Sequence, residues 1–317
     1  MDVVTIGESM ILFTPDTKGP MRYKSKYLAT IAGAESNVAI GLSKLGHKVG
    51  WVSRLGNDEF GKKILAFLRG EGVDVSQVIL DPVNQTGLYF KEMISSNDVR
   101  VHYYRRNSAA SLMKPTDLNE SYLAKAKYLH ISGITPALND TCYETILKAI
   151  DIAKRNGVKV VFDPNLRRKL WSEEKAKKVL LEITERSDII LPGIDEGEFL
   201  TGEETPERIA KTLYEIGPSI VVLKLGEKGA YYYTKEENKY VPAYPVKQVI
   251  DPVGAGDGFA AGFISGLLDG LTMYTAVERA TVIGSMVTMV EGDVEGLPDR
   301  DQLNGYLEQF NKIDIHR

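Results

Sequence analysis

The stretch at residues 249–259 reads Val249-Ile250-Asp251-Pro252-Val253-Gly254-Ala255-Gly256-Asp257-Gly258-Phe259. It follows a strand-like pattern and opens a helix-like one. Glycines at a helix start let backbone N–H groups approach an anion, and the helix dipole adds a favourable field there. A fixed aspartate in such an anion hole would repel a resting phosphate. It makes sense as a general base. Asp257 could take a proton from a substrate hydroxyl while neighbouring amides stabilise the charge that develops on a transferring phosphoryl group. The same aspartate could instead cap the helix, as Asp often does before an apolar run. Spacing alone leaves both readings open.

Other chemistries lack their signatures. No Gly-Lys-Ser/Thr follows Gly254 at Walker A spacing, and the first βα turn reads Gly7-Glu8-Ser9 instead of a dinucleotide fingerprint. His47, His102, His130 and His316 show no metal-ligand spacing. Cys142 stands alone, which excludes an internal disulfide framework and a multi-cysteine zinc site. The 39 basic and 43 acidic residues give a net charge of −4, unlike the basic footprint of a nucleic-acid binder. No apolar run approaches the roughly 20 residues of a membrane span. The N-terminus opens as a strand, without signal-peptide character, so a cytoplasmic protein with neither nucleic-acid nor membrane partners is expected.

The elements that must position these residues alternate. With 43% hydrophobic and 26% charged residues, the 317-residue chain can bury a large core. Strands are expected at residues 3–6, 49–53, 128–132, 158–162, 189–191 and 220–224. Helices are expected at 34–46, 59–70, 140–156, 172–186, 206–216, 257–269 and 274–290. Gly157 supplies a left-handed stop, and residues 54–58 read as a loop. This is the pattern of an α/β protein with helices around a mostly parallel sheet. Two segments break the rhythm. Residues 12–31 carry no helical stripe, and 84–108 read as two strands joined by a turn at 95–98. Together they are expected to form a small β-sheet lid over a core made of 1–11, 32–83 and 109–317.

Residues 251–259 resemble the C-terminal signature of the ribokinase-like (PfkB) carbohydrate kinases. Ala32-Gly33-Ala34-Glu35-Ser36-Asn37-Val38-Ala39 is similar to that family's N-terminal glycine motif. Leu45-Gly46 and Arg54-Leu55-Gly56-Asn57-Asp58-Glu59-Phe60-Gly61 follow in register. The resemblance implies a three-layer sandwich with a small β lid. It implies Asp257 as catalytic base, Gly254, Ala255 and Gly256 as anion hole, and Gly33, Ala34 and Asn37 at the substrate. Lys224, Gly226 and Gly229 match the nucleotide-binding turn, so ATP and Mg²⁺ are the implied cofactors. Asp251 and Val253 stand where many members hold a monovalent cation such as potassium. One position departs: the family's Asn-x-x-Glu motif reads Gly193-Ile194-Asp195-Glu196, which keeps Glu196 as an indirect magnesium organiser but lacks the asparagine.

Substrate choice falls to the lid and the strand ends. On a strand, Tyr103 and Arg105 share one face and Tyr104 and Arg106 the other. An arginine fork suits a carboxylate, although an exposed sheet edge would also account for both arginines. Arg167 follows a buried strand, where α/β sheets place ligands. Tyr89, Tyr103, Arg105, Arg167 and the late Asp293 resemble family members that phosphorylate 2-keto-3-deoxygluconate on its 6-hydroxyl. A neutral-sugar kinase acting on fructose or ribose is the alternative, and a non-catalytic sugar-binding regulator a remote one. A homo-oligomer formed through the lid is also expected.

Overall fold

Runs such as Val3-Val4-Thr5-Ile6, with no polar alternation, need apolar cover on both faces. The fold supplies it. The computed structural model describes residues 1–94 and 98–314, with side chains through residue 308. Strand β1 (Val3–Ile6) leads into the antiparallel pair β2 (Met10–Pro15) and β3 (Tyr27–Ala32), then helix α1 (Ala34–Lys44). Next come β4 (Val49–Gly56), α2 (Glu59–Gly70), β5 (Val78–Asp81) and the pair β6 (Leu88–Met93) and β7 (Val99–Tyr104). Short α3 (Glu120–Leu123) precedes β8 (Tyr128–Ser132), α4 (Ile134–Leu138), α5 (Asp140–Arg155) and β9 (Lys159–Asp163). The alternation continues through α6 (Glu173–Glu185), β10 (Ile189–Ile190), α7 (Ile194–Thr201), α8 (Pro206–Ile216) and β11 (Ile220–Lys224). An antiparallel edge, β12 (Ala230–Thr234) and β13 (Asn238–Val241), precedes α9 (Ala255–Leu268), α10 (Met273–Val287) and α11 (Arg300–Asp314).

The large sheet has nine strands in the order β13-β12-β11-β10-β9-β8-β1-β4-β5, parallel from β5 to β11. One apolar layer, with α1, α2, α9 and α10, covers one face; α5, α6 and α8 cover the other. The result is a mixed α/β, three-layer arrangement. Among the described residues no helix is long and apolar enough to cross a membrane.

The two irregular segments meet in a second sheet, ordered β3-β2-β6-β7. Its strands begin at Met10 and end at Tyr104. Residues 95–97 of the expected turn, like His316, lie outside the described residues. One expectation fails. Arg54, Leu55 and Gly56 are strand and not loop, because β5 pairs with β4 through Gly56↔Asp81 and extends it. The sequence pattern also passed over β5 and β13, which are short and partly exposed, and the buried strand β12.

The small-residue helix α9 owes its composition to close packing. A Cβ at Gly258, Gly262 or Gly266 would lie 2.8, 2.9 or 2.7 Å from Val287, Ala280 or Ala276 on α10. Glycine every fourth residue therefore lets the two helices approach at short range.

Candidate functional site

The site forms where central strands end and helices begin, the usual ligand position in such sheets. At the start of α9, Gly254 is the N-cap, with φ +79° and no side-chain cap. A Cβ there would lie 2.5 Å from the Asp293 carbonyl oxygen, so both conformation and space demand glycine. The first i−4 bond of α9 runs from Gly258 N–H to the Gly254 carbonyl, 2.8 Å. The amides before it have no carbonyl of their own helix to bond; Ala255 N–H makes a long bond to the Pro252 carbonyl, 3.4 Å, and such helix-start amides can turn to an anion.

Asp257 is therefore not the cap. It is the third residue of α9, half-buried, and its carboxylate lines a cavity of about 490 Å³. Asn37, from α1, donates its Nδ2 to Asp257 Oδ2 at 2.8 Å, while Asn37 Oδ1 stays buried without a partner. Desolvation pushes the Asp257 carboxyl up to about 8, the Asn37 bond pulls it down, and Asp163, Asp293 and Glu35 push it up further. Burial likewise raises Asp293, to about 6. A carboxyl of this kind has the proton affinity of a useful base near neutral pH.

The same cavity gathers Gly33, Ala34, Tyr89, Tyr103, Arg105, Arg167 and Asp293. Tyr89 and Tyr103 are register partners on β6 and β7, with ring centroids 5.3 Å apart. Tyr104 turns to the opposite face of the small sheet and packs against Phe90. The alternation expected of β7 thus places Tyr103 on the cavity side, with Arg105 just past the strand end.

Arg105 does not wait unpaired. Its guanidinium meets the carboxylate of Glu8, which is 1% exposed and also accepts the Ser108 hydroxyl at 2.7 Å. Arg167, exposed at the cavity wall, makes no ion pair among the described residues. Lys224, at the end of β11, donates to Asp163 at the end of β9, 2.7 Å. Burial alone would lower the Lys224 ammonium, but Asp163 and then Glu196 outweigh it and hold it above its usual range.

A second, larger cavity of about 1,110 Å³ adjoins the first and shares Lys224, Glu196, Pro252 and Gly256 with it. Gly226, Gly229, Ala255, Thr281 and Phe259 line this chamber. Glu196 is occupied: its Oε2 accepts Gly193 N–H at 2.7 Å and its Oε1 accepts Leu166 N–H at 2.8 Å. Asp251 lies outside both linings; its Oδ1 accepts Val253 N–H at 3.1 Å and its Oδ2 holds the Lys91 ammonium at 3.1 Å. Val253 is 41% exposed and faces the smaller cavity.

Sequence reasoning missed Glu8, Lys91, Asp163 and Glu35. Lys91 stands two residues from Tyr89, so strand period alone would have placed it on the cavity face. Asp163 closes the apolar strand β9 and Glu8 stands two residues past β1, both at the ligand-bearing sheet end, a signal that was present. Glu35 is 1% exposed and accepts the hydroxyls of Ser132 and Thr135 at 2.6 and 3.2 Å; only tertiary contact reveals it.

Chemically, the two chambers can seat an alcohol and a phosphorylated donor on either side of the α9 N-terminus, with the Asp257 carboxylate on the smaller chamber's side. The pfkB family carbohydrate kinase model matches residues 1–300. The chain is 42% identical over 309 residues to 2-dehydro-3-deoxygluconokinase of Bacillus subtilis (strain 168), covering 97% of this chain and 95% of that one. It is 32% identical over 317 residues to fructokinase-1 of Zea mays, covering 97% and 98%. An E. coli protein described as a ribokinase II, crystallised with ATP and Mg²⁺, superposes with a TM-score of 0.91 at 27% identity, covering 97% of this chain and 99% of that one. The chain belongs to the pfkB family of carbohydrate kinases, phosphotransferases that act on a sugar hydroxyl.

Proposed function

We propose that this protein transfers the γ-phosphoryl group of ATP to the 6-hydroxyl of 2-keto-3-deoxygluconate. Arg167 carries this reading, because it is the cavity arginine without a carboxylate partner and a sugar acid would supply one. The 42% identical relative named for that substrate supports the choice. Asp257 takes the hydroxyl proton as the phosphoryl group arrives. The α9 amides, at Gly254, Ala255 and Gly256, and the Lys224 ammonium face the charge that spreads over the transferring oxygens. Gly33, Ala34 and Asn37 border the sugar, where Asn37 Oδ1 offers a buried acceptor to a second hydroxyl. Tyr89, Tyr103 and Asp293 complete its walls.

ATP fits the larger chamber, with Gly226 and Gly229 beneath it. Among the described residues no group of three or more His, Cys, Asp or Glu side chains is placed to hold a metal. That suits Mg²⁺, which keeps its waters and arrives on phosphates; when bound, it neutralises charge between the β- and γ-phosphates. With both Glu196 oxygens taken by backbone amides, Glu196 acts through water and loop geometry, and Gly193 contributes no side chain. A monovalent cation beside Asp251 and Val253 would have to share the Asp251 carboxylate with Lys91. In the same reading, copies associate through the lid, where Leu28 and Tyr104 stand 66% and 61% exposed, and the enzyme works in the cytoplasm, where ATP is made.

The neutral-sugar alternative draws on Glu8, which already satisfies Arg105. An assay with ATP, Mg²⁺ and a panel of 2-keto-3-deoxy acids beside fructose and ribose separates the two. Turnover is expected on the acid; higher kcat/KM on fructose or ribose would reject it.

The raised Asp257 carboxyl sets a pH dependence. A base must be unprotonated, so kcat/KM is expected to fall on the acid side with a midpoint near 8 in the free enzyme. The Asn37 bond stabilises the charged form, so Asn37→Ala should move that midpoint to higher pH. A pH–rate profile that stays put in this variant, or shifts acidward, would contradict the assignment.

A further inference from the structure

The lid and the anion-hole loop are joined by one ion pair. Lys91 lies on β6, on the same face as Tyr89, and its ammonium reaches Asp251 Oδ2 at 3.1 Å. The two side chains are 20% and 11% exposed, so solvent screens this pair less than a surface pair. Asp251 opens the loop that ends at Gly254 and α9. Its other carboxylate oxygen bonds the loop's own Val253 amide at 3.1 Å. Apart from that pair, the start of the loop is held by the backbone, where the Ile250 and Asp251 amides donate to the Thr288 carbonyl at 2.8 and 3.3 Å, while the side chains of Val249, Ile250 and Val253 are 54%, 58% and 41% exposed. The loop is also the wall between the chambers, since Val253 and Gly254 face the smaller one, Ala255 the larger, and Pro252 both.

We infer that Lys91 is a positioning residue that couples the sugar chamber to the nucleotide chamber. A sugar bound against Tyr89 and Tyr103 orders the strand that carries Lys91. Lys91 then fixes Asp251, and Asp251 sets the loop whose amides receive the nucleotide's terminal phosphate. Asp251 itself lines neither chamber. Linkage requires reciprocity: sugar must tighten nucleotide binding by the same factor as nucleotide tightens sugar.

The inference rests on the carbohydrate-kinase reading of the two chambers. Calorimetric titration of a non-hydrolysable ATP analogue with Mg²⁺, with and without saturating sugar, tests it. 2-Keto-3-deoxygluconate and fructose are each tried. In the unaltered protein the sugar should tighten the analogue about fivefold or more, within the usual range of coupling. Lys91→Met should abolish that factor, and Lys91→Arg should restore most of it. Undiminished coupling in Lys91→Met, or none in the unaltered protein, overturns the inference. Binding of fructose but not the acid would reject the substrate reading and leave the lysine test in force with fructose. Amide exchange without ligand is an arm independent of either sugar. Lys91→Met should speed exchange at residues 250–256, and exchange there equal to the unaltered protein would refute the link.

Discussion

Asp257→Asn is expected to lower kcat by about 100- to 10,000-fold, the usual worth of a positioned general base. Asparagine keeps the volume and an oxygen that can accept the Asn37 amide, which is 2.8 Å from the carboxylate. The α9 N-terminus should therefore hold its geometry, and KM for sugar and for ATP should change little. Only the proton acceptor is lost. The acid limb of the pH profile should disappear with it, because the titrating group at about 8 is gone. Steady-state kinetics across pH check both parts. Full turnover in the variant would remove Asp257 from the chemistry, and a large rise in KM with kcat unchanged would make it a binding residue only.

Arg167→Ala is expected to raise KM for 2-keto-3-deoxygluconate about tenfold to a hundredfold, since hydrogen bonds to charged groups contribute about 1.5–3 kcal/mol. Arg167 is exposed before substrate binds, so the lower end of that range is the safer expectation. Activity on fructose, if any is measured, should barely move, for fructose has no carboxylate to lose. Removing Arg105 is a different experiment, because it would strand the buried Glu8 carboxylate and disturb the base of the lid. An equal loss on acid and neutral sugar in Arg167→Ala would count against carboxylate recognition.

Much of the fold could be read in advance because its signals are local. Unalternating runs such as Val160-Val161-Phe162 belong to strands covered on both faces, and Gly157, at φ +71°, ends α5 where expected. The 251–259 motif marked the turn into α9 because glycine is itself the device there: Gly254 has no room for a side chain. What stayed hidden depends on partners distant in sequence. Asp257 could not be told from a cap until Gly254 was seen to occupy that position. Arg105 looked free because Glu8, its counter-charge, lies 97 residues away in the chain. Lys91 pairs across 160 residues. The extension of β4 through Gly56 likewise came from its neighbour β5 and not from the composition of residues 54–58.

The three bare positions on α9 bear on how this enzyme can vary. The Val287 side chain facing Gly258 can change rotamer to absorb a substitution, but the Ala280 and Ala276 main chain facing Gly262 and Gly266 has no such slack. A methyl group added at residue 262 or 266 would push the whole rod along or away from its companion, carrying Asp257 with it. The working end of the helix is thus aligned by a seam some distance behind it, and mutations far from the sugar can detune turnover without touching a ligand.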